Sequence, residues 1–296
     1  MDKADIAIVL ALCAAFWIAV GDAVQQRKAQ QVTDEPVGHA GLLIRLLRDP
    51  TWWLGSLAGT AGFGFQAAAL GFGSVLLVQS LLVTSLLFAL PISAYFAKRR
   101  VTPRQWLWAV VLAASVAVIV TVGNPTAGHS RAGFELWIWV IAIMGPALLL
   151  CVAGSRVYAG KPVAAVLLAL VAGSLWGLFA VLTKGVVGRL SDGIEAMLTT
   201  PELYVWAAVA VTATAWQQSS FRAGSLAASL PAMTIAEPVV ASVLGIFVLG
   251  ETLRPGDSGW IALVAAVIAM VVATAALARG EADSGVEAQS AVVPGS

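Results

Sequence analysis

Residues 229 to 251 read SLPAMTIAEPVVASVLGIFVLGE, a run long and apolar enough to be a membrane helix that nonetheless keeps Glu237 near its middle and prolines at 231 and 238. A carboxylate at the centre of a spanning helix costs about 2.5–3.5 kcal/mol on insertion scales, so such a residue faces a bundle interior or a wet cavity rather than lipid. Glu237 is therefore the first candidate for a residue that meets a cation or exchanges a proton. The bland alternative is a protonated carboxyl that hydrogen-bonds to a neighbouring helix and serves packing only. Thr234, one turn earlier on the same face, suits either role. Pro231 and Pro238 each remove a backbone donor and disfavour regular helix just before them. They are expected to break the helix, with freed carbonyls facing a cavity, or merely to kink it.

The rest of the chain agrees with a membrane setting. Of 296 residues 59% are hydrophobic and 11% charged, and the mean hydropathy is +0.89, which is far from a soluble domain. A net charge of +1 points to no nucleic-acid or polyanion partner. Cys13 and Cys151 are isolated in apolar stretches, and His39 and His129 lie in polar connections, so no disulfide framework, metal cluster or cofactor is expected. The first apolar run lacks a small-residue cleavage site and reads as a retained helix.

Runs able to cross a hydrocarbon layer of roughly 30 Å fall near 5–26, 51–70, 74–96, 104–122, 134–154, 162–187, 203–221, 226–249 and 258–278. The fold class is accordingly all-α, polytopic, with about nine transmembrane helices. The link 30–50 contains GLLIRLL, which suits a short interfacial helix, and 279–296 reads as a disordered tail. One set of loops carries Arg27, Lys28, Arg45, Arg48, Lys98, Arg99, Arg100, Arg104, Arg156, Lys161, Arg222 and Arg279; the other carries Lys3, Arg131, Arg189 and Arg254. That bias puts the N-terminus outside and the C-terminus in the cytoplasm of a cell membrane.

Sliding the chain on itself lays 52–122 over 204–274, so that Thr60 meets Thr212, Gln66 meets Gln218, Pro103 meets Pro255 and Trp108 meets Trp260. The resulting pattern is a first repeat of four helices (1–123), a linker helix (124–160), a second repeat of four (161–278) and the tail (279–296). The two repeats run in opposite senses through the bilayer. Inverted repeats are the architecture of many secondary transporters, with the substrate near the midplane where the halves meet.

These landmarks also carry a resemblance. WWLGSLAGTAGFGFQAAALGFGSVLLVQSLLVTSLLFALPISAYFAKRR at 52–100 and GSLWGLFAVLTKGVV at 173–187, with its Lys184, resemble helices 2, 3 and 6 of the NIPA-type magnesium transporter branch of the drug/metabolite transporter superfamily. WQQSSFRAGSLAASLPAMTIAEPVVASVLGIFVLGE at 216–251 is similar to its helices 7 and 8 and to the EP...GE ending of EamA-type carriers. The resemblance implies a secondary carrier of a small solute or ion, working by alternating access without ATP, with proton coupling as an option. A divalent-cation transporter is the nearest alternative. Lys98, Arg99 and Arg100 stand where that branch has a Lys-Glu pair, and a hard cation such as Mg2+ asks for more than one carboxylate. The membrane interior offers Glu237, and near a helix end Asp22, which reads as a solvated end residue.

Lys184 is a pathway candidate, or a lysine snorkelling to the interface; about ten residues separate it in depth from Glu237, too far for a direct pair. Gln217, Gln218 and Gln66 are candidates to hydrogen-bond a solute, or to join helices in lipid. Trp176 and Trp216 are candidates for an aromatic cage or an interfacial belt. Gly55 with Gly59, and Gly173 with Gly177, have the spacing of close helix contacts, within the fold or in a homodimer. An enzyme is not expected. Neither histidine lies in a span, and GSRVYAGKP at 154–162 misses the phosphate-loop spacing by one residue and ends in proline. A non-transporting scaffold is the remaining reading.

Overall fold

A computed structural model describes residues 2–32, 50–96, 100–223, 226–256 and 259–292. The helices are α1 (Lys3–Val32), α2 (Pro50–Phe72), α3 (Val75–Leu82), α4 (Ser85–Phe96), α5 (Pro103–Thr121), α6 (Phe134–Val157), α7 (Pro162–Leu190), α8 (Ile194–Thr199), α9 (Pro201–Ala223), α10 (Leu226–Leu249) and α11 (Gly259–Val292). Among the described residues there is no strand, only an isolated antiparallel bridge between Thr126 and Thr252. Among the described residues seven helical stretches are long and apolar enough to cross a membrane: Lys3–Val24, Val75–Phe96, Pro103–Thr121, Phe134–Val157, Pro162–Leu190, Ser229–Leu249 and Gly259–Arg279. The protein is an all-α, multi-pass membrane protein. α2 and α9, at 23 residues each, match a bilayer in length but are diluted by glycines and Gln66 in one and by Thr212, Thr214, Gln217 and Gln218 in the other.

α1 packs on α2 and α4, α7 packs on α9 and α10, α5 packs on α11, and α3 lies against α1 and α10. α6 leans on α7 and leaves Phe134, Trp139, Ile141, Ile143, Leu149 and Leu150 exposed, as a helix does whose solvent is lipid. The closest contacts are backbone to backbone. A β-carbon at Gly21 of α1 would lie 2.7 Å from the Gly59 amide of α2, and one at Gly173 of α7 would lie 2.7 Å from the Met233 carbonyl of α10. Both G-x-x-x-G pairs thus sit at helix contacts within the chain.

This makes a sharp contrast between two glycines. A β-carbon at Gly177 would stand 2.7 Å from the Glu237 carbonyl and 2.9 Å from the Ala241 amide, atoms that move only if α10 moves. Gly177→Ala is expected to destabilise by about 1–3 kcal/mol through overpacking. Gly64→Ala, whose β-carbon meets nothing within 4 Å, is expected to be neutral or to gain up to about 1 kcal/mol in helix propensity. Thermal unfolding of the two variants in one detergent checks the contrast.

Two expectations need correction. α10 runs unbroken through Pro231 and Pro238, because each proline withdraws one donor while packing on α7 holds the helix. The break falls instead at Val83–Thr84, between α3 and α4. There the Thr84 amide bonds to the Leu81 carbonyl at 3.0 Å and the Thr84 hydroxyl also turns back to Leu81, a local side-chain bond that competes with helix. α11 continues to Val292 where a disordered tail is expected; alanine, glutamate and glutamine in that segment are strong helix formers. The interfacial-helix expectation for 30–50 falls on residues mostly outside those described.

The connections between α2 and α3, α5 and α6, α7 and α9, and α10 and α11 gather at one end. The bond from the His129 amide to the Leu249 carbonyl is 2.7 Å and that from Arg254 to Gly123 is 2.8 Å. Arg131 of the α5–α6 connection holds Glu202 of α9 through its Nε at 2.9 Å. We call this the capped end.

Candidate functional site

At the capped end a charge pair joins four segments. Ser74 caps α3 by accepting from the Leu77 amide at 3.0 Å, which leaves the first two amides of α3 free for another acceptor. Glu251 supplies it. Its Oε1 accepts from the Val75 amide at 2.7 Å and its Oε2 from the Leu76 amide at 2.9 Å. A carboxylate on a helix N-terminus is favoured both by these donors and by the helix dipole. Gly250, with φ of +66°, makes the left-handed turn that ends α10 and brings Glu251 back beneath it. Gly245 leaves the carboxylate its space, since a β-carbon there would lie 2.9 Å from Oε2.

Lys184 of α7 completes the arrangement. Its Nζ donates to Glu251 Oε1 at 2.7 Å and to the Gly73 carbonyl at 3.0 Å. Lys184 is 5% exposed and Glu251 1%, so Lys184 does not snorkel to an interface. Two buried charges are costly to desolvate, and this pair meets that cost with charge-assisted hydrogen bonds to backbone groups. One turn further along α3, Gln79 is 1% exposed, and its Nε2 has no partner among the described residues. An unused donor in that position costs about 1–3 kcal/mol unless something accepts from it.

An aromatic row lies nearby. Phe63 of α2 stacks on Trp176 of α7 with centroids 6.0 Å apart, Trp176 meets Phe179 edge-on at 5.2 Å, and Phe179 stacks on Trp206 of α9 at 5.0 Å. Trp176 Nε1 donates to Gln217 Oε1 at 2.8 Å, and Trp206 Nε1 donates to the Thr183 hydroxyl at 2.9 Å. Trp176 and Gln217, both candidates from sequence, are thus partners. Gln218 is exposed and Gln66 buried. Thr234 spends its hydroxyl on the Leu230 carbonyl of its own helix at 2.8 Å.

Glu237 is half-buried on α10, and Asp22 on α1 is exposed. The two carboxylates act on each other electrostatically, although α1 and α10 lack the close packing that each makes with its other neighbours. Asp22 lies near the end of the apolar span Lys3–Val24 and is exposed, as a solvated end residue is, while helix α1 itself runs on. It lies ten residues before Val32, roughly 15 Å along α1, beside Gly21 at the α1–α2 crossing. Among the described residues no three His, Cys, Asp or Glu side chains converge.

An uncharacterized protein of Corynebacterium glutamicum is 38% identical to this chain over 284 residues, which cover 94% of this chain and 96% of the relative. The chain belongs to that protein's family. No known family profile matches it, and no solved structure does. Identity at this level, from end to end of both chains, gives the family one helical architecture.

Within it, sequence reasoning found Lys184 but missed Glu251 as its partner, and also missed Gln79. One signal was present. Lys184 lies 22 residues beyond the start of α7 and Glu251 lies 25 beyond the start of α10, so two adjacent helices running the same way bring them to one depth.

Proposed function

We propose that the chain is a secondary membrane transporter of the drug/metabolite type, moving a small solute or ion by alternating access. In this reading α2 and α9 also span the bilayer, making nine spans in a 4+1+4 inverted repeat within the cell membrane. The capped end, with Arg131, Arg189 and Arg254, faces outside, and the C-terminus is cytoplasmic. The pairing of helices supports the repeat: α1 with α2 and α4 in one half is matched by α7 with α9 and α10 in the other, and α5 is matched by α11. No enzymatic step is part of this reading.

The observation that carries it is the Lys184–Glu251 pair. It ties the second half to the first half's Gly73 and α3 N-terminus at one end of the molecule. A closure of this kind, buried yet made of a few separable bonds, is what rocking halves need at the shut end of the pathway. Glu237 and Gln79 then face the solute deeper in, with Trp176 and Gln217 beside them.

The two acids favour one second reading, a divalent-cation carrier, since Asp22 and Glu237 together supply the hard oxygen ligands that a partly hydrated cation takes. Flux into liposomes of purified protein distinguishes the readings. A panel of divalent cations and small organic solutes is offered, with and without a pH gradient, and compared with empty liposomes. Uptake of an organic solute supports the first, and uptake of divalent cations alone supports the second. No difference from empty liposomes across the whole panel leaves a non-transporting scaffold.

A further inference from the structure

The end opposite the capped end holds a cavity of about 620 Å³ between α5 and α11, within the roughly 300–1,000 Å³ of small-molecule sites. Its lining divides by chemistry. It includes Arg104 and Arg279 on the one hand and Trp108, Val272, Ala275 and Ala276 on the other. The depth of the two arginines is set by their helices: Arg104 is the second residue of α5, and Arg279 closes the apolar stretch Gly259–Arg279. Both therefore lie where spanning segments meet the membrane surface. Arg131, Lys184 and Arg189 are each paired with an acid, whereas among the described residues neither Arg104 nor Arg279 has such a partner.

We propose that this cavity binds the phosphodiester headgroup of an anionic phospholipid, with an acyl chain along the Val272–Ala276 wall. Guanidinium groups present planar forks that match phosphate oxygens, and basic pockets between membrane helices suit acidic headgroups. The apolar wall selects a lipid over a soluble anion, because a free phosphate gains nothing from Val272 or Ala276. Val272 is 47% exposed, as expected of a surface that lipid covers. The site is independent of any transport step, and its loss leaves the Lys184–Glu251 closure intact.

Native mass spectrometry tests it on the full chain, released from micelles holding equal phosphatidylglycerol and phosphatidylcholine. The parent is expected to retain phosphatidylglycerol in about tenfold or greater preference, given two basic side chains at the membrane surface. Arg104→Gln/Arg279→Gln is expected to lose that preference, and Arg254→Gln, at the capped end, to keep it. Each single arginine variant, checked for unchanged melting, is expected to fall between. An equal lipid ratio on the parent overturns the proposal, as does a double variant that retains the preference. Inorganic phosphate that displaces the lipid at millimolar concentration also overturns it, by showing a soluble-anion site.

Discussion

Lys184→Met is expected to lower the unfolding free energy by about 3–5 kcal/mol, the range found when one partner of a buried ion pair is removed and the other charge stays behind. The remaining Glu251 still has the Val75 and Leu76 amides, which places Lys184→Met at the low end. Glu251→Ala is expected to be worse. It strands the Lys184 ammonium on the Gly73 carbonyl alone and leaves two buried amides without acceptors. The double variant Lys184→Met/Glu251→Ala is expected to cost less than the sum of its singles by about 1–3 kcal/mol, the coupling of residues that share one network. Unfolding in mixed micelles, with all variants in one detergent, measures this. Additivity within about 0.5 kcal/mol would mean that the two side chains do not act as a unit.

Glu237→Gln is expected to reduce flux in the liposome assay by at least about tenfold, because an intramembrane carboxylate is retained for what it binds or exchanges. The substitution keeps the side chain's size and its place on α10 against Gly177, so folding is expected to stay near that of the parent. If the carboxylate exchanges a proton, whatever flux remains no longer responds to a pH gradient. If it meets a cation together with Asp22, then Asp22→Asn reduces the same flux and the two losses do not multiply. Parent-like flux with parent-like pH dependence in Glu237→Gln would leave that side chain a packing role.

The seven apolar stretches were legible because a membrane helix declares itself by unbroken apolar length, and α2 and α9 are helices where helices were read, though Gln66, Gln218 and small residues dilute them. What the chain does inside those helices was less legible. Pro231 and Pro238 read as a break, yet the break lies at Val83–Thr84, where two β-branched residues and a hydroxyl turn the chain with no proline present. The Lys184–Glu251 pair is separated by 67 residues, and no local pattern links them. Only the depth of each along its own helix does. Asp22 read as a solvated end residue because the apolar run stops near it, and it is exposed there; that α1 continues to Val32 on polar residues was not legible from apolar length. Gln79 gave no signal, since one glutamine in an apolar run looks the same whether its amide is satisfied or not.

Labelling of a cysteine at position 79 tests most directly whether the Lys184–Glu251 pair closes the capped end. The background carries Cys13→Ala and Cys151→Ala, and Gln79→Cys is reacted in liposomes with a membrane-impermeant thiol reagent. The expected result is slow labelling while the pair is intact, and labelling at least about tenfold faster in the folded Lys184→Met/Glu251→Gln variant, as buried positions become reachable when local openings are favoured. Equal labelling rates, with both proteins folded, would contradict it.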